Sequence, residues 1–272
     1  MKYRITQPDY KLPEIEAIQF SKVLSSGSTE PILVHGVDIE TGLRNQYVVK
    51  CMKATRMRPG ASNFELLGAW IGRELGLNTV EPAIVNVSTD FVNTFAGQSG
   101  YTNAIKSIGR NYGCLYESGH LEVVNGAAFP KELTIQLPYI FGFDMLISNP
   151  DRRIDKPNLL TDGENILLLD HELAFSFVDL FFGKNSTPWK FNHSEHEMAK
   201  GHYLYPYLKG ADHDFNEFVE RFLLLDDEFW AKVSKFLPKE WQSEQIDQIR
   251  VYLKSITDNR QVFSDQLTQI LL

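Results

Sequence analysis

Residues 149–172 have the sequence NPDRRIDKPNLLTDGENILLLDHE, in which a polar loop is followed by two short apolar runs. Pro150 disfavours a helical conformation at the residue that precedes it, so a helix formed by the apolar run 139–147 should end before this proline. Asp151 should therefore lie at the start of a loop, exposed at the end of a helix. This stretch determines the interpretation of the rest of the chain.

A tight hairpin is predicted directly after this loop. The dipeptide Asp162-Gly163 is a strong signal for a tight hairpin, and the apolar runs 159–160 and 166–169 flank the residues 161–164 that contain it. Because strands joined by a tight turn pair with each other, the residue before the first strand should lie beside the residue after the second. The hairpin therefore predicts that Asn158 and Asp170 are neighbours.

The loop and the hairpin together contain the polar groups that phosphoryl transfer requires. One carboxylate orients the attacking hydroxyl and accepts its proton, while amide and carboxylate oxygens hold the magnesium ion. We assign the first role to Asp151 and the metal-binding role to Asn158 and Asp170. Each residue also has a simpler interpretation, because Asp151 could cap a turn and Asn158 could be an ordinary loop residue.

The motif NPDRRxxKPNLL, followed by LLLDHE, resembles the HipA-like kinase family, whose members are bacterial relatives of the protein and lipid kinases. The resemblance implies a two-lobed kinase-like fold that uses ATP and magnesium. It also implies that Asp151 is the catalytic acid/base and that Asp170 is a metal ligand. The resemblance spans most of the chain in order, but only the segment 151–170 is specific to the family.

Two features depart from the pattern of eukaryotic protein kinases, in which an Asn follows the catalytic Asp by five positions. Here Lys156 occupies that position, and the amide comes two residues later at Asn158. In addition, His171 and Glu172 follow Asp170 in place of Phe and Gly. The lysine leaves open a second hypothesis, in which the chain is a catalytically silent binding module with a kinase fold.

The composition is that of a globular protein. The chain has 272 residues, of which 43% are hydrophobic and 23% are charged, enough for one large or two modest domains. A formal net charge of −8 argues against nucleic acid or an anionic membrane as a partner, but allows a local basic pocket for ATP. With only Cys51 and Cys114 and no secretion-type leader at 1–7, we expect reduced thiols and a cytoplasmic location.

The amino-terminal half should form a meander of short strands. The small polar turn 25–29 contains Ser26, Gly27 and Ser28, whose backbone N–H groups could lie over the phosphates of a nucleotide. An ordinary Ser/Gly-rich hairpin explains the same residues equally well. The predicted strands of the meander are 15–20, 31–36 and 46–52.

Lys50 lies near the end of the third predicted strand, where a kinase keeps the lysine that contacts the α and β phosphates. The residues 62–65 match a capping box, so a helix should begin after Ser62 and stop at Gly76. On this helix, Glu65 is the residue that would pair with Lys50. The alternatives are a solvated lysine at a strand end and a glutamate that accepts the backbone N–H of Ser62.

The segment after the hairpin is a polar loop followed by amphipathic helices. Ser186 and Thr187 are candidate phosphoacceptors in this loop, although an ordinary loop has the same composition. Three histidines and one glutamate follow, but their spacing matches no structural zinc pattern closely. These four residues are His193, His196, Glu197 and His202.

These observations predict an α+β chain with a two-lobed protein-kinase-like fold. A small β-rich lobe with one main helix should bind the nucleotide (1–125), and a larger helical lobe should carry the catalytic loop (126–272), with ATP and magnesium between them. The predicted activity is transfer of the γ-phosphate of ATP to a hydroxyl acceptor, a Ser or Thr of a protein or of the chain itself. A small-molecule or lipid kinase is a further alternative, because fold analogy does not identify the acceptor.

Overall fold

The computed structural model describes residues 4–24, 29–178 and 186–272. Within these ranges the chain divides into two compact units. The strand-rich unit contains residues 11–66 and 80–118, and the helical unit contains residues 4–10, 67–79 and 119–272. The mixed composition, with strands concentrated in the amino-terminal part and helices in the carboxy-terminal part, is the one predicted. The two units differ from the contiguous segments 1–125 and 126–272.

The strand-rich unit contains β1 (Glu14–Val23), β2 (Ile32–Asp38), β3 (Arg44–Lys50), β4 (Pro82–Val87) and β5 (Gly109–Leu115). They close into a barrel in the order β1, β2, β3, β5, β4. β1 pairs with β4 in parallel, and the other four pairs are antiparallel. The parallel pair closes the sheet, and the predicted meander does not include it.

Irregularities in β1 explain how a single strand can follow this curvature. Its register with β2 shifts between Ala17 and Gln19 and again between Phe20 and Lys22. Such bulges bend a strand and increase its twist. Ile15 lies before the first shift and Ala17 lies at it, and both side chains are buried in the hydrophobic core.

The helix after β3 begins earlier than the sequence predicts. α1 (Ala61–Glu74) starts before Ser62, and the Phe64 N–H donates to the Gly60 carbonyl at 3.0 Å. The predicted capping box is therefore wrong, because Ser62 already lies in the first turn and Glu65 lies in the second. The helix ends before Gly76, as predicted, where a positive φ of 86° suits glycine.

Regular structure occupies much of the segment 88–115, which is rich in Gly, Ser and Asn. It contains α2 (Thr89–Asn93), α3 (Tyr101–Lys106) and β5. Ser88 caps α2, since its hydroxyl accepts the N–H of Phe91 at 3.2 Å. The many Gly, Ser and Asn residues here mark the ends of short elements rather than one long loop.

The helical unit contains a small antiparallel sheet of β6 (Leu121–Glu122), β7 (Leu159–Thr161) and β8 (Ile166–Leu168). β7 and β8 form the predicted hairpin, in whose turn Asp162 Oδ1 accepts the N–H groups of Glu164 and Asn165 at 2.9 and 2.6 Å. β6 pairs with β7, so it belongs with the segment 119–272 of the helical unit.

Eight helices complete the helical unit within the described ranges: α4 (Lys131–Thr134), α5 (Leu137–Leu146), α6 (His193–Gly201), α7 (Tyr205–Leu208), α8 (Asn216–Glu220), α9 (Asp227–Phe236), α10 (Glu244–Asp258) and α11 (Arg260–Leu271). Short 3-10 helices lie at Ser176–Val178, Arg221–Leu224 and Lys239–Trp241. Across the described residues, no helix is both long enough and apolar enough to cross a membrane.

α5 forms the centre of this unit, because every residue from 140 to 146 is buried. Phe218 of α8 stacks on Tyr139, with 5.4 Å between ring centroids. The close approach requires Gly142, where a Cβ atom would lie 2.8 Å from the Phe218 ring. One of the buried residues of α5 is Asp144, an acid that contacts the loop after the helix.

Candidate active site

Asp144 is an acid in the middle of a buried helix, and a buried charge requires partners. Its Oδ1 atom accepts a hydrogen bond from Asn149 Nδ2 at 2.8 Å and another from Arg152 Nη2 at 3.2 Å. Its Oδ2 atom forms an ion pair with Arg152 Nε and a hydrogen bond with His202 Nε2 at 3.1 Å. Burial alone would raise the pKa of Asp144, but the charge of Arg152 and the contact with His202 hold it well below its ordinary value.

Arg152 connects this buried acid to the far end of the loop that carries Asp151. Its Nη1 atom donates to the backbone carbonyls of Pro157 at 3.2 Å and Asn158 at 2.5 Å. Asp144 thereby holds both ends of the loop, one end through Asn149 and the other through Arg152. The loop that carries Asp151 is fixed by the interior of the helical unit.

The hydrogen bonds of His202 define its tautomer. The Leu204 N–H donates to His202 Nδ1 at 3.1 Å, so Nδ1 is an acceptor and the proton of the neutral ring lies on Nε2, which donates to Asp144. Burial lowers the pKa of His202, and the contact with Asp144 opposes this effect only in part. His193 and His196 are exposed on α6, and among the described residues no metal-binding group includes these three histidines.

The predicted catalytic and metal-binding side chains of the loop do come together. The prediction that Asp151 is exposed is wrong, because its carboxylate is buried among its hydrogen-bond partners. Its Oδ2 atom accepts hydrogen bonds from Asn158 Nδ2 at 3.2 Å and from Lys156 Nζ at 2.6 Å. The same ammonium lies 2.8 Å from Asp170 Oδ2. Asp151 and Asp170 therefore both contact Lys156, and Asn158 donates to the same oxygen of Asp151. In the sequence, Lys156 is visible only as a departure from the kinase pattern.

The backbone at both predicted metal ligands adopts an uncommon conformation. Asn158 has a φ of 50° and Asp170 has a φ of 62°, in the left-handed region that side chains other than glycine seldom occupy. Asn and Asp tolerate this region best, and each such residue costs on the order of 1 kcal/mol. The two residues flank the hairpin, where the Leu169 N–H donates to the Asn158 carbonyl at 3.3 Å.

The two residues after Asp170 belong to the same site. A carboxylate oxygen of Glu172 lies within 4.8 Å of one of Asp170, so a second acid is available beside the predicted metal ligand. His171 is buried with its ring edge-on to Phe143, at 5.8 Å between centroids. It also packs against Gly68 of α1, where a Cβ atom would lie 2.5 Å from the imidazole side chain.

The strand-rich unit holds the second predicted group of residues. Lys50 ends β3, and its ammonium donates to Glu65 Oε1 at 2.5 Å, with both side chains buried. The predicted pair therefore forms, and Glu65 takes part in it because α1 begins before Ser62. Ser26, Gly27 and Ser28 lie outside the described residues, so their role as a phosphate loop stays a prediction.

Several residues of the site could not be singled out from the sequence. Asp144 stands in an apolar run, Arg152 is one of two adjacent arginines, and His202 belongs to the patch considered for zinc. An isolated acid inside an apolar helix was the available signal, because such a charge must find a partner in the fold. The identity of that partner, 58 positions further on for His202, is set by tertiary structure.

The sequence profile of a family described as HipA-like kinase matches residues 17–267, nearly the whole chain. The chain therefore belongs to the HipA-like kinase family, and this membership indicates a kinase activity without identifying the acceptor. No curated protein matches the chain.

Proposed function

We propose that this chain is an ATP-dependent kinase that transfers the γ-phosphate to a hydroxyl acceptor, a Ser or Thr of a protein or of the chain itself. The observation that carries the proposal is that the Lys156 ammonium contacts both Asp151 and Asp170, while Asn158 donates to the Asp151 oxygen that the ammonium also contacts. Phosphoryl transfer uses a carboxylate for the acceptor hydroxyl and a separate amide and carboxylate for a metal ion. Family membership supports the same activity.

In this mechanism Asp151 orients the acceptor hydroxyl and accepts its proton. The hydroxyl oxygen forms a bond to the γ-phosphorus while the bond from that phosphorus to the bridging oxygen breaks, and ADP leaves with the electron pair. Hydrogen bonds from Asn158 and Lys156 hold one carboxylate oxygen of Asp151 in a fixed direction. The buried network of Asp144 and Arg152 fixes the loop backbone that carries it.

The side chains present fit a magnesium ion. Asp170 and Asn158 offer carboxylate and amide oxygens, the hard ligands that magnesium prefers, and Glu172 adds a nearby carboxylate. We propose that Asp170 and Asn158 hold the ion. When bound, magnesium neutralises charge on the phosphates of the nucleotide.

Lys50 is the residue that we propose for the α and β phosphates. Its ammonium is buried and held by the Glu65 carboxylate, so its direction is set before a nucleotide arrives. Ser26, Gly27 and Ser28 are proposed to add backbone N–H groups to the same phosphates. The predicted assignment of 1–125 to nucleotide binding and of 126–272 to catalysis belongs to this proposal.

One observation favours a second candidate function, a catalytically silent nucleotide-binding module. The Lys156 ammonium contacts both Asp151 and Asp170, so it neutralises the two carboxylates on which catalysis depends. The active kinase is the better supported function, because Asn158 still lies beside Asp151 despite its displacement by two positions along the chain.

Turnover of ATP separates these two functions. Asp151→Ala should lower turnover by roughly 10²–10⁴-fold with little change in nucleotide affinity, as is typical when a general base is removed. Asp155→Ala is the matched control, because this acid of the same loop is exposed and pairs only weakly with Arg153 at 3.2 Å. Equal turnover of the parent and Asp151→Ala, with folding verified and magnesium-ATP saturating, would exclude catalysis by Asp151 and favour the silent module.

A further inference from the structure

Lys156 lies at the centre of the site and contacts both functional carboxylates. Its Nζ atom is 2.6 Å from Asp151 Oδ2 and 2.8 Å from Asp170 Oδ2. The side chain is 29% exposed, whereas those of Asp151 and Asp170 are 5% and 11% exposed. The ammonium is therefore a partly buried cation between two acids, not a solvated surface charge.

The backbone holds Lys156 in this position. The Arg153 N–H donates to the Lys156 carbonyl, and the Lys156 N–H donates to the Arg153 carbonyl, both at 3.1 Å. This pair of hydrogen bonds closes a short turn in the loop, and the Tyr203 N–H anchors the residue before the turn by donating to the Arg152 carbonyl at 2.8 Å. The closed and anchored turn fixes the backbone of Lys156, so that only its side-chain rotamers remain to be ordered by the contacts with the carboxylates.

The electrostatics of the contact are favourable on both sides. Burial alone would lower the pKa of Lys156, but the charge of Asp170 and the hydrogen bonds to both carboxylates raise it above its ordinary value. With Glu172 included, three carboxylates lie together with the Lys156 ammonium, and Arg153 Nη2 lies 4.0 Å from Asp151 Oδ1 on the exposed side. The site is therefore strongly cation-binding, and its own lysine already supplies one cation.

We propose that Lys156 is a positioning residue that competes with the divalent ion for Asp170 and so sets the metal affinity of the site. This inference rests on the proposed metal-binding role of Asp170. Asp170 Oδ2 accepts the ammonium at hydrogen-bonding distance, so a metal ion that uses this oxygen must displace the ammonium or share the atom with it. Asp151 is the second contact of the ammonium, to which it can remain bound when Asp170 turns to a metal ion.

A direct measurement of metal binding tests this competition without requiring turnover. Manganese(II) is the probe, because its binding is followed by electron paramagnetic resonance in the absence of nucleotide. Lys156→Met removes the charge and keeps the approximate length of the side chain. We expect manganese to bind about tenfold more tightly or better, because the ammonium at 2.8 Å from Asp170 Oδ2 repels a divalent ion and occupies the oxygen that would bind it. Lys156→Arg keeps the charge and should bind manganese with the affinity of the parent.

Thermal unfolding gives a second readout of the same variants. Because ligands that bind the native state raise the melting temperature, manganese should raise it more in Lys156→Met than in the parent at the same concentration. Lys156→Gln is a second neutral variant, in case Lys156→Met does not fold. If Lys156 had a purely structural role, its replacement would lower the melting temperature by the same amount in the presence and in the absence of manganese.

The outcomes separate this inference from the proposed function. Equal manganese affinity in the parent and in the neutral variants would overturn the competition by Lys156 and leave the metal site in place. Asp170→Asn is the control for the site itself, and it should weaken manganese binding in both the parent and the Lys156→Met background. If Asp170→Asn has no effect, or if neither background binds manganese, the metal assignment is wrong and the inference fails with it.

Discussion

Arg152 and Arg153 are adjacent arginines in opposite environments, and they allow the buried network to be tested by matched substitutions. The Arg152 side chain is fully buried against Asp144, whereas the Arg153 side chain is 52% exposed beside Asp155. Arg152→Met leaves Asp144 buried without its guanidinium, which should cost about 3–5 kcal/mol of the free energy of unfolding. Arg153→Met removes an exposed ion pair and should cost about 0–1 kcal/mol.

Urea unfolding followed by tryptophan fluorescence measures both changes, with the midpoint expected to fall at an unchanged slope. The predicted loss at Arg152 is a large share of the roughly 5–15 kcal/mol that stabilises a typical domain. Adding Asp144→Asn to Arg152→Met should recover about 1 kcal/mol or more, because it removes the uncompensated charge. A cost for Arg152→Met within about 1 kcal/mol of that for Arg153→Met would refute the assignment of Asp144 and Arg152 as the anchor of the loop.

Two further predictions follow from the buried His202 and from the Lys50 pair. Because burial places the pKa of His202 below its unfolded value of 6.5, the unfolded state binds more protons, and stability should fall as the pH is lowered through that value. His202→Gln should reduce the slope of the unfolding free energy against pH below about pH 6.5. His193→Gln, at an exposed histidine, is the control and should keep the slope of the parent protein. The same slope in His202→Gln as in the parent would contradict the prediction. Lys50→Met should lower both ATP use and stability, since Glu65 loses its ammonium, and adding Glu65→Gln should restore stability but not ATP use. Recovery of ATP use in the double variant, measured per folded molecule, would show that Lys50 is structural.

The sequence was sufficient for features that depend on local chemistry. Pro150 correctly indicated the end of α5, and Asp162-Gly163 correctly indicated the hairpin. The hairpin in turn placed Asp170 near Asn158, because the register of two short strands is fixed by their turn. The pairing of Lys50 with Glu65 was also correct, although the capping-box interpretation of the same helix was wrong.

Features that depend on contacts distant in sequence could not be predicted in the same way. The parallel pairing of β1 with β4 closes the barrel, but neither strand carries a local mark of its partner. The start of α1 was misplaced because Ser62 and Glu65 match a cap by spacing alone, whereas Gly60 provides the first helical carbonyl. In the sequence, Lys156 is only a departure from a motif. Its contacts with two carboxylates depend on the fold of the loop and could not be predicted.

The closed sheet of the strand-rich unit also limits how this chain can recognise a peptide. Many proteins bind an extended peptide by adding it as a further strand to the open edge of a sheet. The barrel formed by β1 to β5 has no such edge, because β1 and β4, which would be the two edge strands of an open sheet, pair with each other. In the helical unit, backbone atoms cover the free side of β8. The Asn78 carbonyl accepts the Leu168 N–H at 2.9 Å, and Thr79 forms a parallel bridge with Leu168. A peptide that binds the barrel must therefore be selected by side chains and loops, so its specificity can change through surface substitutions without altering the pairing of any barrel strand.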